Sequence, residues 1–592
     1  MKTFFKSFFA SFLGMALLLL VLFFFLIGTI TALVATADGD QVIVKPKSVL
    51  VSNFDFEISD RTSKNTFSVI NPFSLEVAES LGMNDIIANI KKAATDSNIE
   101  GIYMNLSSLQ TSFANIEEIR NELLKFKESG KFIISYSEGY SQGTYYLATV
   151  SDKIYLNPHG NVDFKGLISK SFFLKGLLEK LDVEMQIVRG PNNKFKSAVE
   201  PYILDKMSEA NREQTQKLIS SIWEEMLQSI SKMRNIDVAT LNRIADDLEI
   251  NFAEDALRLG FVDGLMYKDE LVKELRTKLA LPDDAELESV KISKYTSATI
   301  AKETKPTRDK IAVIYAIGSI NSGTGSETEI GSEGLSKAIR NAAKNEHIKA
   351  IVLRVNSPGG SALASEVIRR ELEIAASKKP LIVSMGNVAA SGGYWISTAS
   401  EYIFADPTTI TGSIGVFGMI PNAQKLLNNK LGITFDNVTS NKNSDFADIT
   451  QPLSDFQYKK LQNQVVKIYD DFIELVATSR KLRPTFVDSI GQGRVWSGTD
   501  ALKIGLVDQL GGLEQAIAYA AEKVNLENYK IIEFPEQKTM VQSLLDDMSG
   551  DKGIRTVLKS EFGAYYPLVE FMNQATKYEG IQARMPFYMI LE

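Results

Sequence analysis

Residues Ile99 to Pro158 recur as Ile348 to Pro407 at one constant offset of 249, without a gap. Ile99-Glu100-Gly101-Ile102 lies over Ile348-Lys349-Ala350-Ile351, Ile119-Arg120 over Ile368-Arg369, and Tyr145-Tyr146-Leu147 over Tyr394-Trp395-Ile396. Farther on, Asp255-Ala256-Leu257 through Val262-Asp263 matches Asp500-Ala501-Leu502 through Val507-Asp508 at a slightly shorter offset. A unit of about 250 residues is a domain, too long for a stacking repeat. The chain is therefore built twice from one plan.

Within each unit, short apolar runs such as Ile351-Val352-Leu353 and Leu381-Ile382-Val383 alternate with helical stretches such as Ser361 to Ser377. Parallel strands buried on both faces read as continuous apolar runs, so each unit is expected to be a doubly wound α/β layer structure. A helical arm follows each sheet, from about Met207 to Met233 and from Asp455 to Leu482. From about Glu522 onward the chain has no counterpart in the first unit.

The amino terminus carries Lys2 and Lys6 ahead of an uncharged apolar run from about Phe8 to Ala35. A helix needs about 20 residues to cross a bilayer, against about 7 to 15 for a secretory apolar region. An uncleaved transmembrane helix is expected; Ala35-Thr36-Ala37, which resembles a signal peptidase site, supports the alternative of a cleaved, soluble product. The positive-inside rule then places the chain beyond Asp38 outside the cytoplasm. The expected organisation is a cytoplasmic segment 1–7, an anchor 8–36, a first repeat 45–300, a second repeat 301–525 and a tail 526–592.

Composition narrows the chemistry. The formal net charge is -8 with both signs mixed along the chain, so no basic stripe points to nucleic acid. There is no cysteine, which removes disulfides, thiolates and Cys-based zinc sites, and the two histidines, His159 and His347, are a poor basis for a metal cluster. A hydrolase built from this chain must work without the Ser-His pairing unless one of these two is its base.

In the second unit, Asn356-Ser357-Pro358-Gly359-Gly360-Ser361 follows an apolar strand and precedes a helix. Paired glycines there can turn backbone N–H groups toward a developing oxyanion, although taken alone the motif reads first as an ordinary turn with Ser361 as cap, since Gly-rich strand-to-helix turns are common. Ala389-Ala390-Ser391-Gly392-Gly393-Tyr394-Trp395 places a serine among small residues at another strand-to-helix junction. That is the exposure a nucleophile needs, though a capping serine beside packing glycines reads the same locally. The repeat acts as an internal control: Gln142 stands at the position of Ser391, and Gln110 and Thr111 at those of Gly359 and Gly360. The first unit lacks both elements together, which links them.

For a base, the first unit offers Lys194-Phe195-Lys196-Ser197-Ala198-Val199-Glu200-Pro201. Depending on one insertion, Lys196 falls opposite Asp445 or Phe446, and Lys442 competes under a shifted alignment. A lysine base must be neutral, which burial between two domains would achieve; a solvated surface lysine is the structural alternative.

These features together resemble the long form of the signal peptide peptidase A (protease IV) family, a relative of the Clp-protease and crotonase fold. The match spans nearly the whole chain and rests on the amino-terminal run, the tandem α/β units, Phe195 to Pro201, and Met385 through Trp395. The resemblance implies that Lys196 activates Ser391 across the domain boundary, through an acyl-enzyme. It makes Gly359 and Gly360 the oxyanion donors, and Ser413, in Thr411-Gly412-Ser413-Ile414-Gly415, a supporting hydroxyl on the lysine. It further implies a homotetramer in the bacterial inner membrane, single-pass and held in lipid by its amino-terminal helix. Its catalytic domains would face the periplasm and degrade cleaved signal peptides and other apolar peptides, with no cofactor. His159 and His347 match no catalytic position. Two other functions use the same fold: a crotonase-like enzyme holding a thioester enolate on the glycine amides, and a non-enzymatic membrane scaffold. The first has no use for Ser391 and Lys196, and retention of both argues against the second.

Overall fold

The computed structural model describes residues 42–63, 81–299, 306–537 and 581–585, together with residues 6, 8, 10–22, 24, 25 and 28. Residues 10–22 are helical and exposed, and the rest of the expected anchor lies largely outside the described residues. Among the described residues, no helix is long and apolar enough to cross a membrane.

The first repeat is organised by a six-stranded parallel sheet of β1 (Ser48–Ser52), β2 (Ile99–Asn105), β3 (Phe132–Ser137), β4 (Lys153–Leu156), β6 (Gly264–Leu265) and β7 (Ser289–Lys291), in the order β6-β4-β3-β2-β1-β7. The second repeats it with β8 (Lys310–Ile317), β12 (Ile348–Ser357), β14 (Leu381–Ala390), β15 (Tyr402–Ala405), β19 (Gln509–Leu510) and β20 (Lys530–Phe534). These pair in parallel in the equivalent order β19-β15-β14-β12-β8-β20. Strand β20 thus lies where β7 lies in the first repeat. The sequence leaves this stretch without a counterpart because β7 and β20 share no readable pattern.

Strand β14 runs past its pairing with β15 and makes a second parallel pairing with β16 (Ile410–Gly412), which is antiparallel to β18 (Val495–Ser497). The long central strands are buried almost throughout, as continuous apolar runs demand. The helical arms are Glu209–Arg234 and Asp455–Arg480, both of 26 residues and started by Ser208 and Ser454 capping the amides of Asn211 and Gln457.

A third sheet, which no sequence pattern announces, joins the two repeats. The second repeat supplies β9 (Ser319–Asn321), β10 (Gly325–Ser326), β11 (Glu329–Gly331), β13 (Gly359–Ser361) and β17 (Phe417–Asn422); the first supplies β5 (Glu184–Arg189); the tail supplies β21 (Ile581–Arg584). The sheet is mixed, in the order β10-β11-β9-β13-β21-β17-β5. The antiparallel β5–β17 pairing runs over six residue pairs, from Phe417↔Arg189 to Asn422↔Glu184. The chain that continues from β5 is thereby led into the second repeat.

Charge is buried where the repeats meet. Arg354, on β12, is 1% exposed and donates to Asp60 Oδ1 at 2.8 Å and to Glu118 Oε1 at 2.5 Å, both from the first repeat. Glu118 also accepts from the backbone N–H of Leu513 at 2.9 Å, and Asp406 lies buried nearby. Burial and the neighbouring Glu118 push the Asp406 carboxyl well above the usual range, against the pull of Arg354.

Candidate active site

Ser391 stands between the end of β14 and the short helix Gly392–Ser397. Its φ of 57° and ψ of -114° are sparsely populated for a residue with a side chain. The conformation is held from both sides: its N–H donates to Gly412 O at 2.8 Å, and its carbonyl accepts from the Trp395 N–H at 2.8 Å. Gly393 leaves no room for a Cβ, which would sit 2.6 Å from Ser357 O, so the small residues around the serine are steric requirements.

Lys196 follows β5 and enters the second repeat. The Phe195 N–H donates to Gln492 O at 2.9 Å, and the Arg494 guanidinium lies 4.6 Å from the Phe195 ring centre. Gln214, on the first arm, donates to Phe195 O at 2.9 Å and to Ser197 Oγ at 2.9 Å, while its Oε1 accepts from the Val495 N–H of the second repeat. Glu200 anchors the far end of the loop, accepting from Ser208 Oγ at 2.5 Å and from Asn211 Nδ2 at 2.9 Å. A Cβ on Gly493 would lie 2.5 Å from Lys196 Cβ, so that glycine makes the lysine's entry possible.

The result is a sealed contact. Lys196 is 1% exposed, and Ser391 and Ser413 are fully buried. Lys196 Nζ lies 2.9 Å from Ser391 Oγ, 2.9 Å from Ser413 Oγ and 3.1 Å from Ser413 O. Burial pushes the lysine pKa well below its ordinary value, and no carboxylate counteracts it. A neutral amine has two N–H donors and one lone pair. With the donors on Ser413 O and Ser413 Oγ, the lone pair faces the Ser391 hydroxyl.

The two glycines expected as oxyanion donors have different surroundings. The Gly359 N–H donates to Ser357 Oγ at 3.2 Å, and its φ of +94° with a crowded Cβ position makes it a site of close backbone approach. The Gly360 N–H faces β21. Sequence reasoning missed Gly392: as the first residue of its helix it has no partner within that helix, and its N lies 2.6 Å from where a Gly359 Cβ would stand. Its position directly after the serine was the available signal.

In the first repeat Gln142 closes the equivalent position. Its Oε1 accepts from the Gly166 N–H at 3.0 Å and its Nε2 donates to Gly166 O at 3.2 Å. Lys442 and both histidines are exposed, and Asp445 accepts from Gln457 Nε2 at 2.9 Å, so none of them joins the Lys196–Ser391 cluster.

Two kinds of comparison with known proteins bear on the family. The profile of Peptidase family S49 matches residues 125–281 and 373–527, once in each repeat. Protease 4 of Salmonella typhi is 39% identical over 82% of this chain and 78% of its own. Protease 4 of Haemophilus influenzae is 32% identical over 95% and 92%, and the chloroplastic serine protease SPPA of Arabidopsis thaliana 32% over 92% and 78%. A solved ClpP1 mutant of Listeria monocytogenes covers 35% of this chain and 94% of its own at a TM-score of 0.24 and 15% identity, too remote to bear on the fold.

Proposed function

The chain belongs to Peptidase family S49 and is a serine protease, and from that premise we propose that it cleaves apolar peptides, cleaved signal peptides among them, with Ser391 as nucleophile and Lys196 as general base. The observation that carries this reading is the buried 2.9 Å contact between Lys196 Nζ and Ser391 Oγ, where burial pushes the amine's pKa well below its ordinary value. Ser391 Oγ attacks the peptide carbonyl as its proton passes to Lys196 Nζ. The tetrahedral oxyanion is held by the Gly360 and Gly392 amides, with Gly359 giving the carbonyl room. Lys196 then protonates the leaving amine, and water repeats the sequence on the acyl-enzyme. Ser413 orients the amine, leaving its lone pair toward Ser391.

The apolar run 8–36 supports attachment to the membrane in which such substrates arise. A homotetramer is supported by an exposed apolar loop in the second repeat, where Leu431, Ile433, Phe435 and Val438 face solvent, Val438 completely.

The test is hydrolysis of a synthetic apolar signal peptide by the purified full chain. Ser391→Ala and Lys196→Met, each folded by circular dichroism, are expected to lose at least about 10³-fold in kcat/KM. Activity near the wild-type level in either variant refutes the assignment.

A further inference from the structure

The side chain of Gln214 is 1% exposed and reaches from the first arm, Glu209–Arg234, to the segment that carries Lys196. Its Nε2 donates to Phe195 O at 2.9 Å and to Ser197 Oγ at 2.9 Å, so it holds the residues on either side of the lysine. Its Oε1 accepts from the Val495 N–H at 3.3 Å. The amide can face only this way, because Phe195 O has no proton to give and the Val495 N–H has no lone pair to offer. Ser197 is held in turn by Asn211 of the same arm, to whose Oδ1 it donates at 2.9 Å. The charged groups around the segment are engaged elsewhere: Glu213 pairs with Arg494 at 3.1 Å and Lys194 at 3.7 Å, and Glu200 accepts from Ser208 and Asn211.

Val495 leads on to the nucleophile. It stands opposite Gly412 in the antiparallel pairing of β16 and β18, and Gly412 O accepts the Ser391 N–H at 2.8 Å. The next residue, Ser413, donates its N–H to Arg494 O at 2.7 Å and meets Lys196 Nζ with its hydroxyl. One buried amide thus joins the backbone around the lysine, from the first repeat, to the strand pair that holds both serines, from the second. The duplication supplies a comparison. Gln214 lies six residues past the capping Ser208; six residues past the capping Ser454 the second arm has Lys460, exposed and set over the Phe456 ring. The arm with no base to hold carries a solvated side chain at that place. We propose that Gln214 is a positioning residue for hydrolysis, setting Lys196 Nζ against Ser391 Oγ by tying the two backbones together; the inference rests on the Ser391/Lys196 reading. A brace that only stabilised the fold could be replaced by an apolar side chain of the same length. A positioning amide cannot, because its directed bonds set where the amine stands and keep water from it.

The test is kcat, KM and their pH profiles for the full chain on a synthetic apolar peptide. Gln214→Met keeps the length of the side chain and removes its bonds to Phe195, Ser197 and Val495. It is expected to lower kcat about 10²-fold with KM within about twofold, and to move the acid limb of kcat toward the range of a solvated lysine. Gln214→Glu keeps an acceptor for Val495 but sets a carboxylate against Phe195 O; it is expected to move kcat and the acid limb the same way, and it carries the test if the methionine variant does not fold. Lys460→Met, on the second arm, is expected to keep the wild-type kcat and profile. A folded Gln214 variant that melts lower but keeps the wild-type kcat and acid limb marks an ordinary brace and overturns this inference alone, provided that Lys196→Met is inactive. An active Lys196→Met brings down the proposed function with it.

Discussion

A lysine sealed from water gives up its proton readily, and Lys196 sits where that property is useful. With its pKa lowered by burial, hydrolysis is expected to rise with pH along an acid limb set by this amine and well below the range of a solvated lysine. A kcat/KM profile that stays flat until the ordinary lysine range would contradict this. The same shift has a sign for stability. Between the folded-state pKa and the ordinary value of 10.5, the unfolded chain holds the extra proton, so stability rises with pH across that window and is lost as pH falls through the folded pKa. Lys196→Met is therefore expected to melt higher than wild type at neutral pH, with the gap closing above pH 10.5; equal melting temperatures at pH 7 would mean the amine is not sealed. The sequence could single out Lys196 only by family resemblance, because Lys442 competes under a shifted register. Burial separates the two, and burial depends on Gln214 and on Gly493 and Arg494, the last two nearly 300 positions away in the chain.

Among the elements, the long parallel strands were legible because burial on both faces leaves an uninterrupted apolar record. The third sheet was not. Strands β9, β10, β11 and β13 are two or three residues long, and their pairing is set by tertiary context more than by propensity. The close approach at β13 gives a prediction of its own. Gly359 combines a φ of +94° with a Cβ position 2.1 Å from Ala583 O, so Gly359→Ala is expected to cost about 1–3 kcal/mol in stability and to depress peptide hydrolysis strongly. Denaturant melts and kcat/KM on one sample would check both, and a fully active alanine variant would show that β13 moves away from β21.

At the level of the whole molecule, the repeats are held in register by charge as well as by sheet. Arg354 joins Asp60 across 294 positions, a pairing no local pattern announces. Arg354→Met leaves the Asp60 and Glu118 carboxylates buried without their cation, and the expected loss is about 3–5 kcal/mol by urea denaturation. Loss of under about 1 kcal/mol would mean the cluster is open to water. The exposed loop around Val438 belongs to the same scale: if the proposed homotetramer uses it, Phe435→Asp with Val438→Asp is expected to lower the sedimenting mass, and an unchanged mass would remove the support drawn from that loop.

Because strand β5 carries the Lys196 segment out of one repeat and into the other, the proposed base and nucleophile meet in a first-order event. Two separate polypeptides bearing the same halves would have to find each other, and their yield of complete centres would fall on dilution. Covalent linkage replaces that search with a local concentration in the millimolar range, so each chain carries its own assembled centre at any abundance in the cell. It also fixes a ratio: with Gln142 at the position equivalent to Ser391, the proposed mechanism has one nucleophile per chain, so a serine-directed label is expected to saturate at one equivalent.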